Sequence, residues 1–65
     1  MNEGPFYDKN GTFLGQVKKS GEKYMLYGQS GEFLGQYDST RNCTYDEQGG
    51  LLGHGNLLGM LIRGH

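Results

Sequence analysis

A ten-residue pattern that occurs three times constrains this chain more than any other feature of its sequence. It runs YDKNGTFLGQ from residue 7, YGQSGEFLGQ from residue 27 and, with more changes, YDEQGGLLGH from residue 45. Each copy contains a tyrosine, a polar stretch that ends in glycine, an apolar pair and a second glycine. A chain of 65 residues is near the smallest size at which one core overcomes chain entropy. We therefore expect a single domain, residues 1–65, built from three similar units.

The first glycine of each copy marks a tight turn. In Asp8-Lys9-Asn10-Gly11, the aspartate is suited to cap backbone N–H groups of a type I turn, and the glycine to take a positive φ. Such turns predict hairpins near residues 6–19, 24–38 and 43–54. The predicted fold is mainly β, an antiparallel meander of about six short strands near residues 5–8, 12–18, 23–28, 32–38, 43–46 and 50–54.

The predicted sheet has apolar side chains on both faces. Strict alternation along the second strand places Phe13 and Val17 on one face and Leu14 on the other. The fourth strand repeats this division, with Phe33 opposite Leu34. Both faces must then be covered, by the tail of the chain, by closure into a small barrel or by another chain.

The carboxyl-terminal tail is the covering element that the chain itself supplies. Asn56 is suited to cap a helix over residues 56–62, the sequence of which continues as LLGMLI. This helix is too short to be stable alone and must dock on the sheet or on a partner. Gly59 is expected to permit close docking. The apolar stripe of the helix consists of Leu57, Leu58, Leu61 and Ile62.

Composition excludes several classes of function. A net charge of −1 provides no basic footprint for a phosphate backbone or an anionic membrane. One cysteine cannot form an intrachain disulfide, the amino terminus does not resemble a signal peptide, and no apolar run approaches the roughly 20 residues of a membrane span. We expect a cytoplasmic protein.

Cys43, His54 and His65 are the only soft or imidazole ligands in the chain. They lie eleven residues apart, without the close pairs that structural zinc sites use, so no metal and no cofactor are expected. A zinc site shared across a symmetric oligomer is left open. Cys43 and His54 fall on neighbouring strands, but a nucleophile also needs a pocket and an oxyanion site, so no enzyme is expected.

The Tyr-Asp turns resemble the YD repeats of Rhs-type bacterial proteins. YDKNG and YDEQG match that unit, whereas Gly28 replaces its aspartate, and Thr12, Glu32 and Gly50 replace the arginine that usually follows its glycine. Rhs repeats build large shells around toxins, which three copies cannot do. The stretch TYDEQGGLLGHGNLLGMLI is similar to the ends of short bacterial and phage-type proteins. These resemblances imply a bacterial or mobile-element setting.

Aromatic residues are the main functional feature of the sequence. Eight tyrosines and phenylalanines, without tryptophan, suit a protein-binding surface, since tyrosine offers a large contact area at little entropy cost. We predict a small non-catalytic protein–protein interaction module that forms homo-oligomers, such as a mobile-element accessory or inhibitor. A nucleic-acid-binding small β-barrel and a structural repeat piece of a larger particle are alternatives. The predicted partner-binding residues are Leu14, Tyr27, Leu34 and Tyr37.

Overall fold

The computed structural model describes residues 3–62 of the chain. Six strands form one antiparallel sheet, in which each strand pairs with the next along the chain. β1 and β6 are the two edges of this sheet, so it is an open meander rather than a closed barrel. The predicted β-meander is confirmed, and each strand overlaps its predicted range. The strands are β1 (Gly4–Tyr7), β2 (Phe13–Ser20), β3 (Lys23–Gly28), β4 (Phe33–Asp38), β5 (Cys43–Asp46) and β6 (Leu51–His54).

The turn inside the first hairpin has the predicted chemistry. Asp8 Oδ1 accepts hydrogen bonds from the backbone N–H groups of Asn10 and Thr12, at 2.8 and 2.9 Å. Gly11 has a φ of 85° and donates to the Asp8 carbonyl oxygen at 3.0 Å. The third hairpin repeats this arrangement around Asp46, whose Oδ1 accepts backbone hydrogen bonds of 2.9 and 2.8 Å. The aspartate cap is therefore confirmed in both turns.

The middle hairpin uses a different residue for the same task. Gly28 occupies the aspartate position, and the Glu32 carboxylate accepts the Ser30 N–H hydrogen bond at 3.0 Å. The backbone bonds of the turn are unchanged, because Gly31 still donates to the Gly28 carbonyl oxygen at 3.0 Å. A Cβ atom at Gly28 would lie 2.5 Å from the Glu32 carboxyl carbon. The Glu32 side chain therefore fills the space that an aspartate side chain occupies in the other two turns.

The apolar pair after each turn contains a β-bulge. In the pairing of β1 with β2, one residue, Leu14, has no opposite residue on the facing strand. The same irregularity recurs in the other two hairpins, at Leu34 and Leu52. Gly15 and Gly35, which follow the first two bulged leucines, have φ values of 152° and 154°. The recurrent leucine–glycine step is thus a repeated bulge.

The two bulge glycines lie against the backbone of the next repeat. A Cβ atom at Gly35 would lie 2.5 Å from the Tyr45 carbonyl oxygen, and a Cβ atom at Gly15 would clash with the Tyr27 carbonyl oxygen. A side chain at either position would push two hairpins apart, and it would also require a φ that L residues rarely adopt. Glycine at the bulge therefore lets successive hairpins pair into one sheet.

The division of side chains between the two faces differs from the one that strict alternation predicts, because of the bulges. Each bulge adds one residue to its strand, so the alternation changes phase and the leucine turns to the same side as Val17. Leu14 and Leu34 are therefore buried, whereas Phe13 and Phe33 lie on the opposite face. The buried core cluster consists of Val17, Leu26, Leu34 and Leu58.

The carboxyl-terminal segment covers the core face of the sheet, as its apolar stripe predicts. Leu58 is fully buried, and Leu61 and Ile62 pack on the core cluster. The predicted helix over 56–62 is instead a 3-10 helix of four residues, Leu58–Leu61, after which Ile62 is extended. A 3-10 helix rises about 2.0 Å per residue, against about 1.5 Å in an α-helix. This geometry carries a short segment further across the sheet.

A buried threonine holds the start of the terminal segment. The hydroxyl of Thr44, on β5, donates to the Gly55 carbonyl oxygen at 2.7 Å and accepts from the Leu57 N–H at 2.9 Å. Asn56 Oδ1 accepts the Leu58 N–H bond at 3.1 Å, so the predicted capping side chain acts from the position before the N-cap. These three bonds turn the chain from β6 onto the core face.

We expect Gly35→Ala to destabilise the domain by at least about 2 kcal/mol, because it combines a strained φ with a backbone clash. Gly59→Ala is the matched control. A Cβ atom at Gly59 meets no atom within 4 Å, contrary to the close docking predicted there. The control is expected to be neutral or slightly stabilising. Urea unfolding of both variants measures the difference, and equal stabilities would contradict the role of the bulge glycine.

In the middle turn the Glu32 carboxylate replaces the aspartate cap of the other two turns. We therefore predict energetic coupling between positions 28 and 32. Glu32→Thr alone should cost about 1 kcal/mol, because the Ser30 N–H loses its acceptor. In the Gly28→Asp background the same change should be close to neutral, since the new aspartate caps the turn as Asp8 does. A double-mutant cycle of unfolding free energies tests this. Additive effects would show that the two carboxylates do not share one role.

Candidate functional site

The sheet face opposite the terminal segment is here called the open face. It carries one cross-strand pair from each hairpin, because the residue before the turn faces the first residue of the returning strand. In the first two hairpins the bulge after the pair turns the next leucine into the core and leaves the pair on this side. Three similar pairs are therefore repeated across the sheet. They are Tyr7–Phe13, Tyr27–Phe33 and Tyr45–Leu51.

The pairs on the open face are ordered and partly exposed. The Tyr7 and Phe13 rings have centroids 5.9 Å apart at an interplanar angle of 63°, an edge-to-face contact. The Tyr27 and Phe33 rings are 5.7 Å apart at 56°. Exposed fractions are 55% for Tyr7, 38% for Phe13 and 59% for Leu51. The open face thus presents apolar surface whose side chains are already held by their neighbours.

The lysines near these rings do not form one basic stripe. Lys18 Nζ lies 5.5 Å from the centroid of the Tyr27 ring, and Lys19 Nζ lies 5.6 Å from that of Tyr24. Because the two lysines are consecutive in β2, their side chains project to opposite faces of the sheet. Each lysine therefore supports a different tyrosine by a cation–π contact.

The structure does not bring the four predicted partner-binding residues together on one surface. Leu14 and Leu34 are buried on the core face. Tyr37 packs against the core cluster, and its hydroxyl donates to Asn42 Oδ1 at 2.7 Å. Tyr27 lies on the open face, half-buried beside Phe33. The open face therefore retains one of the four, Tyr27.

Strict alternation along the strands does not identify Phe13, Phe33 or Leu51 as residues of the open face, because it assigns Phe13 to the same face as Val17. The feature that reveals them is the apolar pair followed by glycine, since glycine inside a strand marks a bulge or a close backbone approach. A bulge at that glycine exchanges the faces of the two apolar residues.

Both edges of the sheet are poorly suited to pairing with another strand. β1 and β6 contain four residues each, and β1 includes Pro5. Asp8 donates its N–H to the Thr12 carbonyl oxygen inside the hairpin, so alternation directs the Pro5 nitrogen to the outer edge. Proline provides no N–H there, and short edges with proline are a common protection against strand addition.

A buried carboxylate lies at the end of β4. Asp38 Oδ1 accepts hydrogen bonds from the Thr40 hydroxyl at 2.6 Å and the Thr40 N–H at 3.0 Å, and Oδ2 lies 4.0 Å from Arg41 Nε. The Thr40 hydroxyl bond is the main cause that lowers the pKa of Asp38 below its ordinary value of 3.8. Burial opposes this shift, and the Thr40 and Arg41 N–H groups and the Arg41 charge add to it.

Cys43 and His54 meet next to this carboxylate. They are opposite residues of β5 and β6, and Cys43 is also the residue opposite Asp38 on β4. Cys43 Sγ lies 3.5 Å from His54 Nδ1 and 3.2 Å from the Arg41 carbonyl oxygen, to which the thiol donates. The expectation that neighbouring strands bring Cys43 and His54 together is confirmed. His65 lies outside the described residues.

The covered face contains a cavity of about 340 Å³ between β1 and the terminal segment. Its lining is apolar, with Phe6, Val17 and Leu58 among its residues, and includes no carboxylate, imidazole or thiol. Within residues 3–62, no three Cys, His, Asp or Glu side chains gather closely enough to hold a metal ion. The described part of the chain also has no helix long and apolar enough to cross a membrane.

Comparison with known proteins provides no relative for this fold. No family model, no curated protein and no solved structure matches the chain. The function is therefore inferred from the geometry of the surfaces described above.

The lowered pKa of Asp38 predicts how its contribution to stability depends on pH. A depressed pKa in the folded state stabilises the fold above the ordinary value of 3.8, and this contribution is lost as the pH falls through the lower folded value. The difference in unfolding free energy between the unsubstituted chain and Asp38→Asn should be constant at about pH 5 to 8 and shrink below that range. Glu47→Gln, which removes an exposed carboxylate, is the charge-matched control. A difference that stays constant down to the lowest pH would contradict the role of the ionised carboxylate.

Proposed function

We propose that this chain is a small non-catalytic protein–protein interaction module that associates through the open face, first with a second copy of itself. The observation that supports this proposal is the repetition of one partly exposed apolar pair in all three hairpins. Aromatic residues are enriched at protein interfaces, and contiguous exposed apolar surface marks interaction sites. The terminal segment covers the other face, so the open face is the side of the sheet available for a partner.

The size of the domain favours self-association. A small domain gains little from its own core, and four buried aliphatic residues form the core cluster here. Burying a side chain such as Leu51, which is 59% exposed in the single chain, adds hydrophobic stabilisation that the isolated domain lacks. A second copy provides the same apolar surface, so a twofold contact is self-complementary.

We expect two copies of the chain to contact each other through their open faces rather than through the edges of their sheets. Both edge strands are short, and the nitrogen of Pro5 points outward from β1. Strand addition would therefore gain few backbone hydrogen bonds. The open face, in contrast, offers side chains that are held by ring–ring contacts before association, which lowers the entropy cost of binding.

Nucleic-acid binding is a weaker candidate. The tyrosines with adjacent lysines are the features that would support stacking on bases. However, Lys18 and Lys19 project to opposite faces, and the sheet is open rather than barrel-shaped. A role as a structural repeat piece also relies on the open face. The bacterial or phage setting, the accessory or inhibitor role and the cytoplasmic location stay predictions from the sequence.

Lysine substitutions on the open face test the proposal. We expect Phe13→Lys and Leu51→Lys each to raise the dissociation constant of self-association by about tenfold or more, because each buries a charge at the contact. Sedimentation equilibrium of metal-free protein across concentration measures this constant. Circular dichroism of the same samples verifies that the strands remain.

Met60→Lys is the matched control, since Met60 is 73% exposed but belongs to the terminal segment on the other side of the sheet. It adds the same charge and should leave association unchanged. A monomeric unsubstituted chain at all concentrations, or equal loss of association in the control, would refute the assignment to the open face.

A further inference from the structure

The Cys43–His54 pair has the geometry of two ligands on one metal ion. Zinc binds cysteine sulfur at about 2.3 Å and histidine nitrogen at about 2.0–2.1 Å, so a tetrahedral angle places the two ligand atoms about 3.6 Å apart. In this structure Cys43 Sγ and His54 Nδ1 are 3.5 Å apart. The separation of the two ligand atoms therefore matches one edge of a zinc tetrahedron.

The fold itself sets this separation. Cys43 and His54 are opposite residues of two paired strands, so the backbone holds their Cβ atoms close. Both strand ends are fixed further by the bond of 2.7 Å from the Gly55 N–H to the Asn42 carbonyl oxygen. Holding two ligands in place before binding lowers the cost of ordering them when the metal arrives.

We propose that Cys43 and His54 form half of a Cys2His2 zinc site, which is completed by the same pair from a second copy of the chain. One chain provides only two ligands in the described region, because no group of three Cys, His, Asp or Glu side chains is present there. Structural zinc sites take four protein ligands. A twofold axis through the metal supplies the missing pair, which makes the site incomplete without the second copy.

The position of the pair agrees with this arrangement. Cys43 precedes Tyr45 by two residues in β5, so both side chains lie on the open face. His54 is exposed, whereas Cys43 is buried, with 9% of its surface exposed. The inference rests on the proposed self-association, because the open face must contact a second open face to bring the two pairs together.

Zinc binding at this site requires the release of two protons, one from each thiol. Each thiol loses its proton to solvent and binds as a thiolate, and each histidine binds through Nδ1 while Nε2 keeps its hydrogen. Two thiolates neutralise the charge of one Zn²⁺. The Asp38 carboxylate, opposite Cys43 in the sheet, is already occupied by Thr40, so it adds negative charge beside the site rather than a ligand. No redox step is required.

Cobalt(II) titration of the reduced, metal-free chain tests the site directly. We expect the absorption bands of tetrahedral cobalt and a thiolate-to-cobalt charge-transfer band, saturating at one metal ion per two chains. Adding Zn²⁺ should displace the cobalt and lower the dissociation constant of self-association by at least about tenfold. Saturation at one ion per chain, or the absence of a charge-transfer band, would overturn the proposal.

Substitutions identify the ligands. Loss of second-shell groups alone weakens metal binding by about 10–100-fold, so Cys43→Ser and His54→Gln should each raise the dissociation constant for zinc by at least about 100-fold. His65→Gln is the control, since it removes an imidazole that the proposal does not use. Equal loss in that control would overturn the ligand assignment. If a variant fails to fold, the stoichiometry of the unsubstituted chain still decides the question.

Sedimentation in the presence and absence of a chelator separates this inference from the proposed function. Association without metal, unchanged by zinc, would refute the zinc site and support the open face. A metal-free chain that stays monomeric but dimerises with half an equivalent of zinc would support the shared site and refute metal-independent association. Association that zinc strengthens supports both.

Discussion

The close approach between the bulge glycines of the first two hairpins, Gly15 and Gly35, and the tyrosine carbonyl of the next hairpin is the contact on which the rest of the structure depends. At Gly35 a Cβ atom would lie 2.5 Å from the Tyr45 carbonyl oxygen, and Gly15 meets Tyr27 in the same way. The absence of a side chain allows three hairpins to join as one twisted sheet. The bulge that the glycine completes also turns one leucine of each of the first two hairpins into the core. One local irregularity, repeated, therefore creates both the core and the face opposite to it.

The difference between the two faces of the sheet is the basis of the functional proposal. Leucines and the terminal segment form a covered face, whereas the aromatic pairs are left on the open face. The same alternation that places Tyr45 on the open face also places Cys43 there, beside His54. Association through this face and a metal shared between two copies are thus two consequences of one arrangement. Association can occur without the metal, whereas a shared metal requires two open faces to meet.

The strands and turns could be predicted from local chemistry, whereas the assignment of side chains to the two faces of the sheet could not. The cap at Asp8 and the positive φ at Gly11 depend on neighbouring residues alone, so the sequence predicts them correctly. The faces depend on a bulge that shifts the alternation by one residue, which strict period-two reasoning at Leu14 and Leu34 ignores. The terminal helix type depends on where Thr44 anchors the chain, a tertiary contact with no local pattern.

The most direct test of the central claim is a concentration series of NMR spectra of the unsubstituted, metal-free chain with labelled aromatic rings and methyl groups. Association through the open face predicts that the rings of Phe13, Tyr27 and Phe33 shift with concentration, while the methyl groups of Leu26 and Leu58 in the core do not. Shifts confined to the terminal segment, or spectra that are independent of concentration, would contradict it.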